Sequence, residues 1–244
     1  MKKIGFIMLA IMSIAIFSCL DDEEDYSLNN QLGGFGMVRG EEGSFVIVLD
    51  DDENGKNEVL QPVAWSSYPD WGDDFENGSR IWVNFSILDE VLNEDNTVDH
   101  YLVKVNGFTN ILLKGILSLN AENEDSIGND AIDVQSYWMS DSLLNFKLRY
   151  WGYDKVHYLN LVLNEAETHN ENEPVKLELR HNANSDNESF PYSAFVSFSL
   201  NQLRVAGKDS ISIEITSADY EGKSHTFQQV FNYKDLPLPD SMEQ

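Results

Sequence analysis

Several groups of side chains in this sequence have the types and spacing to bind a metal, stack on a sugar or accept a modification. Asp50-Asp51-Asp52-Glu53-Asn54-Gly55 puts oxygen donors at alternate positions ahead of a glycine, as the first half of a calcium loop does. The bidentate acid such a loop carries at its twelfth position is here Gln61, and the flanks alternate as strands, not helices. Asn54-Gly55 is itself a hairpin signal. The segment reads as a turn, and no metal site is expected.

Trp65, Tyr68, Trp71 and Phe75 interleave with Asp70, Asp73 and Asp74. Exposed rings beside carboxylates can stack on sugar faces and bond their hydroxyls, which makes Trp65, Tyr68 and Trp71 candidate ligand-stacking residues. The plainer alternative, which large side chains favour, is that these rings close the end of a core. Five histidines are scattered, and none has the close sequence pairing that zinc sites favour. His157 falls in register with Leu159 and Leu161, and His181 with Leu177 and Leu179, so both read as hydrogen-bonded residues at the edge of a core. Nucleophile-elbow, phosphate-loop and HExxH motifs are absent. No catalytic residue and no cofactor is expected, and the chain reads as a non-enzyme.

Asp-Ser followed by an aliphatic residue or methionine occurs four times, centred on Ser126, Ser142, Ser210 and Ser241. It resembles an acceptor sequence for O-glycosylation of exported bacterial proteins, so these serines are candidate sites. The plain reading is turn chemistry leading into strands.

Cys19 is the only cysteine. It follows Met1-Lys2-Lys3, an apolar run from Ile4 to Phe17, and Ser18. A basic start, a short apolar run and a small residue before the cut describe a secretory signal peptide. The run falls short of the ~20 helical residues that cross ~30 Å of hydrocarbon. Cys19 resembles the lipobox cysteine of bacterial lipoproteins, whose thiol carries diacylglyceryl and palmitate-type chains. At ~0.8 kcal/mol per buried CH₂, several chains together make a stable anchor. The acidic run Asp21-Asp22-Glu23-Glu24-Asp25 is a solvated spacer at the least. It also resembles the signal that exports lipoproteins to the outer face of the outer membrane.

These residues need a scaffold, and composition bounds it. A hydrophobic content of 42% with 11% aromatics suffices for real cores and excludes global disorder. The net charge is −26, with 16 Lys and Arg against 42 Asp and Glu, so nucleic acid and anionic headgroups are poor partners. Hydrophobicity alternates with period two through Ile81-Val83-Phe85-Ile87, Leu144-Phe146-Leu148-Tyr150, Val175-Leu177-Leu179, Ala194-Val196-Phe198-Leu200 and Ile211-Ile213-Ile215. Each is a half-buried strand pattern. Further strands are expected at 44–49, 59–65, 100–106, 158–163 and 227–233, with 111–117 as a short helix. The fold class is all-β. The polar, acidic stretch 120–130 reads as a domain junction. About five strands before it suit a small barrel of the OB type, and about seven after it suit a β-sandwich.

The chain resembles the NigD-like lipoproteins. The resemblance rests on the acidic segment after Cys19, "GSRIWVNFSIL" at 78–88, "DSIGND" at 125–130, "LNFKLRYWG" at 144–152, "HYLNLVLN" at 157–164, "LELRHNANSD" at 177–186 and "FVSFSL" at 195–200. It implies an N-terminal OB-like domain and a C-terminal β-sandwich, and no catalytic residue set. The expected layout is a signal peptide (1–18), a lipidated acidic spacer (19–33), an OB-like barrel (34–122), a sandwich (123–235) and a flexible tail (236–244). The expected function is a non-catalytic binding or accessory lipoprotein at the outer membrane, facing the cell exterior. Its partners would be the membrane through Cys19 and a glycan or secreted protein. The alternative is a periplasm-facing structural or bacteriocin-immunity type.

Intact-mass measurement of the native protein is expected to give the chain from Cys19 with its lipid, and Cys19→Ala is expected to lose that increment. Sugar-sized increments that disappear on changing Ser142 or Ser210 to Ala would establish glycosylation. A mass equal to chain plus lipid alone would remove it.

Overall fold

The computed structural model describes residues 30–41, 43–51, 57–67, 75–164 and 173–236. The signal peptide, Cys19, the acidic run, Tyr68, Trp71, Ser241 and the Asn54-Gly55 turn lie outside the described residues.

The N-terminal strands are β1 (Leu32–Arg39), β2 (Val46–Leu49), β3 (Val59–Trp65), β4 (Arg80–Leu92) and β5 (Val98–Asn110). They close into a barrel in the order β1-β2-β3-β5-β4, and β1 pairs back onto β4 from Leu32↔Phe85 to Met37↔Arg80. β3 and β5 run parallel and the other neighbours antiparallel. This is the OB arrangement that the strand count suggested. Val38, Ile47, Leu60, Ile81, Val83, Val103 and Phe75 fill the interior. At thirteen residues each, β4 and β5 bend through register shifts at Asn84/Phe85, Ile87/Asp89 and Val91/Leu92. Such shifts break strict alternation. Ser86 lies on the face opposite Phe85 and Ile87 and is nonetheless buried, accepting a hydrogen bond from Asn106 Nδ2 at 3.1 Å.

The remaining elements are β6 (Leu112–Lys114), β7 (Leu117–Leu119), α1 (Glu124–Ile127), β8 (Asp133–Ser140), β9 (Leu143–Gly152), β10 (Tyr158–Asn164), β11 (Val175–Asn182), β12 (Phe190–Ser199), β13 (Ser210–Ala218) and β14 (Ser224–Asn232). They form two facing sheets, β14-β13-β11-β10-β7 and β6-β12-β9-β8. Between the sheets lies a core that includes Leu144, Phe146, Leu148, Leu161, Leu177, Phe198, Ile213, Ile215 and Phe231. Each of these side chains contributes ~1.5–3 kcal/mol by leaving water. Their spacing is the period-two pattern of the sequence.

Two expectations are corrected here. Residues 111–117 do not form a helix: β6 pairs parallel to β12, and β7 parallel to β10. A short apolar run satisfies either period, and the open edges of two sheets decide it. The domain junction also moves. β6 and β7 already belong to the sandwich, so the chain leaves the barrel at Asn110 and not near residue 122. The acidic stretch 120–130 instead folds as α1 and its flanks against the end of β11, where Asn182 Nδ2 donates to Ser126 O at 2.8 Å. At the other limit, Leu236 packs on the sandwich core.

Barrel and sandwich are joined by one buried cation. Arg80, the first residue of β4, has a side chain with no exposure. Its two Nη atoms grip the Asp50 carboxylate, Nη2 also donates to Asn145 Oδ1 at 3.0 Å, and Nε donates to Ser197 Oγ at 3.2 Å. Phe35 of β1 packs on Trp138 and Phe195 of the sandwich, with ring centres 5.3 and 5.0 Å away. A guanidinium left buried without its carboxylate costs about 3–5 kcal/mol. Asp50→Ala is expected to lower unfolding stability by about that amount in urea titrations. A loss under about 1 kcal/mol would mean that water reaches Arg80.

Candidate functional site

Away from the barrel the sandwich ends in loops, and a buried carboxylate organises them. Asn145 of β9 sits beside Arg80, and Trp151 lies six residue steps along the strand, roughly 20 Å at the β rise. β9 then turns through 153–157 into β10. The loop 183–189, between β11 and β12, swings Asp186 beneath that turn. The Asp186 side chain is 1% exposed. It accepts backbone N–H bonds from Tyr153 (2.5 Å), Asn187 (2.8 Å), Lys155 (3.3 Å) and Asp154 (3.4 Å). These donors, the Tyr153 N–H foremost, hold its carboxyl below the usual carboxylate range, against the opposing effect of burial. Lys155 Nζ ties the two loops again by donating to the carbonyls of Asn184 (3.0 Å) and Ser185 (2.8 Å). Asn184 and Ser185 both have left-handed backbone, with φ of 54° and 53°.

Behind the loops runs a chain of imidazoles. His157 Nε2 lies 3.2 Å from Asp186 Oδ2, His157 Nδ1 lies 2.8 Å from His181 Nε2, and His181 Nδ1 lies 2.8 Å from Ala131 O. Since a carbonyl only accepts, His181 carries its proton on Nδ1 and receives one from His157 at Nε2. Burial pushes the His181 imidazole below its ordinary value of 6.5, and the Ala131 carbonyl partly offsets this. Tyr150 stacks on His157 at 4.7 Å and on Tyr192 at 5.9 Å. A Cβ on Gly152 would sit 2.8 Å from His157 Nε2 and 3.0 Å from Asp186 Oδ2, so only glycine lets β9 pass this pair.

Beside the chain opens a cleft of about 370 Å³ lined by Trp151, Tyr220, Asp125, Asp130, Glu188 and His181, among others. Tyr220 lies on the β13–β14 turn, and its ring meets Trp151 edge-on at 4.8 Å. The backbone N–H of Trp151 donates to the Tyr220 hydroxyl at 3.2 Å. Burial raises the Tyr220 phenol, and the Glu188, Asp130 and Asp133 carboxylates push the same way. Arg149 lies 5.1 Å from the Trp151 ring centre and pairs with Asp133 at 2.8 Å.

The residues singled out in the sequence fall elsewhere. Trp65 is half-buried and meets Phe75 edge-on at 5.2 Å and Phe108 at 6.5 Å, so it closes the barrel end as the packing reading has it. Asp50, the first donor of the calcium-loop pattern, is engaged by Arg80. Ser142 and Ser210 precede or open β9 and β13, as turn chemistry requires. Ser126 is exposed on α1, where its Oγ donates to Asn123 O at 2.8 Å. Among the described residues no group of three His, Cys, Asp or Glu side chains could hold a metal. The histidine pair lay in the sequence only as two inner-face residues near strand ends. Their meeting depends on the β10–β11 register, in which Leu161 faces Leu179.

Residues 115–229 match the family described as the NigD-like C-terminal beta sandwich domain. Over these residues the sandwich is similar to the NigD-like family. Solved structures extend the likeness over the barrel. A Parabacteroides distasonis protein named as toxin-related is 27% identical, with a TM-score of 0.68 over 84% of this chain and 94% of that one. A Bacteroides vulgatus protein of unknown function is 25% identical, with a TM-score of 0.66 over 87% and 93%. A NigD-like immunity protein of Bacteroides caccae shares the fold at 19% identity, with a TM-score of 0.57 over 84% and 98%. No curated protein sequence matches the chain.

The NigD-like sandwich is expected to lose stability on acidification. The folded state keeps His181 below its unfolded value and Asp186 below its own. A depressed group contributes stability above its unfolded pKa and loses it as pH falls through the folded one. The urea midpoint should therefore be level above about pH 7, fall as His181 is forced to charge, and fall again in strong acid as Asp186 protonates. A midpoint unchanged down to about pH 5 would contradict the burial of a neutral His181.

Proposed function

We propose that this chain is a non-catalytic accessory lipoprotein, held at the outer membrane by acyl chains on Cys19 and facing the cell exterior, that binds a ligand with the distal loops of its sandwich. The observation that carries the reading is the loop cluster itself. Its backbone is fixed by Asp186, and it presents aromatic rings and carboxylates around an open cleft at the end of the sandwich away from the barrel. Loops set on a rigid scaffold are where binding residues concentrate. Preorganised loops bind at lower entropic cost. Glycans and secreted proteins are the ligands such a position would meet. The lipobox-like cysteine and the acidic run behind it support the anchor and the outward orientation.

The second reading is a periplasm-facing immunity-type protein, favoured by the name of the Bacteroides caccae relative. Protease digestion of intact cells separates the two, with wild type and Cys19→Ala compared by immunoblot. Loss of the wild-type band while periplasmic controls survive is the expected result. A protected wild-type band would overturn outward display and leave the periplasmic reading.

A further inference from the structure

We infer that the distal end of the sandwich docks a basic segment of a polypeptide partner, a refinement that rests on the distal-loop reading above. The docking surface is aromatic. Tyr153, Phe190 and Tyr192 are 54%, 55% and 42% exposed. The rings of Tyr153 and Phe190 lie nearly parallel with centres 6.2 Å apart, and the Tyr192 hydroxyl donates to the Tyr153 carbonyl at 3.1 Å. Rings held in place and left in water lose little entropy on binding, and contiguous exposed aromatics mark interaction surfaces.

Charge selects the occupant. The adjoining cleft shares Asp186 with the loop that carries Tyr153, and its charged lining is acidic throughout: Asp125, Asp130, Asp186 and Glu188. Asp186 is committed to backbone N–H groups, and one Asp130 oxygen takes the Ala183 N–H at 2.7 Å. Asp125 and Glu188 have no ion-pair partner among the described residues. Cations on the neighbouring elements are already engaged: Arg149 by Asp133, Arg180 by Glu178, Lys223 by Glu221, and Lys155 by the loop carbonyls. The field of the carboxylates also reaches Tyr220, where it disfavours a second anion.

An uncharged glycan could stack on the rings and donate hydroxyls to these carboxylates, but it would leave their charge uncompensated. Acidic polymers and phosphates would be repelled. A guanidinium answers both features, since it pairs with a carboxylate through two N–H groups and stacks on an aromatic face. The net charge of −26 adds long-range attraction for a basic segment.

The test titrates an oligo-arginine peptide and an uncharged oligosaccharide mixture separately into the full chain by calorimetry, at low and moderate salt. Three double variants accompany the wild type, each checked for fold by circular dichroism. D125N with E188Q removes charge from the cleft. Y153S with F190S removes the exposed rings. E94Q with D95N removes equal charge from the exposed β4–β5 turn of the barrel. The expected result is salt-sensitive peptide binding, weakened about tenfold by either distal pair and barely changed by the barrel pair. Equal weakening by the barrel pair would overturn the inference, because only bulk charge would then be at work. Oligosaccharide binding that depends on Tyr153 and Phe190, with no peptide binding, would overturn the basic partner and keep the distal-loop reading. A folded chain that binds neither probe would overturn both.

Discussion

The Arg80–Asp50 pair determines how this molecule is assembled. Taking a guanidinium and a carboxylate out of water costs several kcal/mol for each ion, and their attraction offsets that only when every remaining donor finds an acceptor. Arg80 meets the condition by drawing acceptors from both domains: Asp50 from the barrel, and Asn145 and Ser197 from the sandwich. Asn145 in turn accepts from Ser197 Oγ at 2.6 Å and donates to Ser140 Oγ at 3.1 Å, so no member of the network is left half satisfied. A well-packed apolar interface would serve stability equally well. A polar one permits a single alignment, because a shift of either domain strands a buried charge.

The same rule works at the opposite end with a different set of donors. Asp186 is held by backbone amides and a histidine, not by an arginine, so its burial orders two loops at once. The two carboxylates divide the labour of the chain. One fixes the sandwich on the barrel, and the other fixes the loops on the sandwich.

Much of this architecture was legible as period-two alternation, because a strand with one face on a core must alternate. Leu144-Phe146-Leu148 and Ile211-Ile213-Ile215 all lie in the core. The pattern did not foretell the burial of Ser86, which lies on the face opposite Ile81, Val83, Phe85 and Ile87 and is nonetheless covered. It also failed at residues 111–117, where a short apolar run carries no period of its own. The acidic stretch 120–130 was read as a junction from its polarity. Its role depends on Ile127, whose burial in a small cluster with Leu119 and Val162 pulls α1 onto the sandwich.

The candidate site was less legible still. Rings and acids gathered in one segment drew attention to Trp65 and its neighbours, yet Trp65 spends its surface on Phe75 and Phe108. Trp151, Glu188 and Tyr220 stand far apart in the sequence and share a cleft only because three loops meet at one end of two sheets. By itself the sequence determined the all-β class and the two cores, since these depend on local pattern and composition. Only the tertiary structure decided which carboxylates are spent on folding and which line the open cleft. That assignment depends on which amides and cations lie within hydrogen-bond reach, and residues as distant as Arg80 and Ser197 come together only when the chain folds.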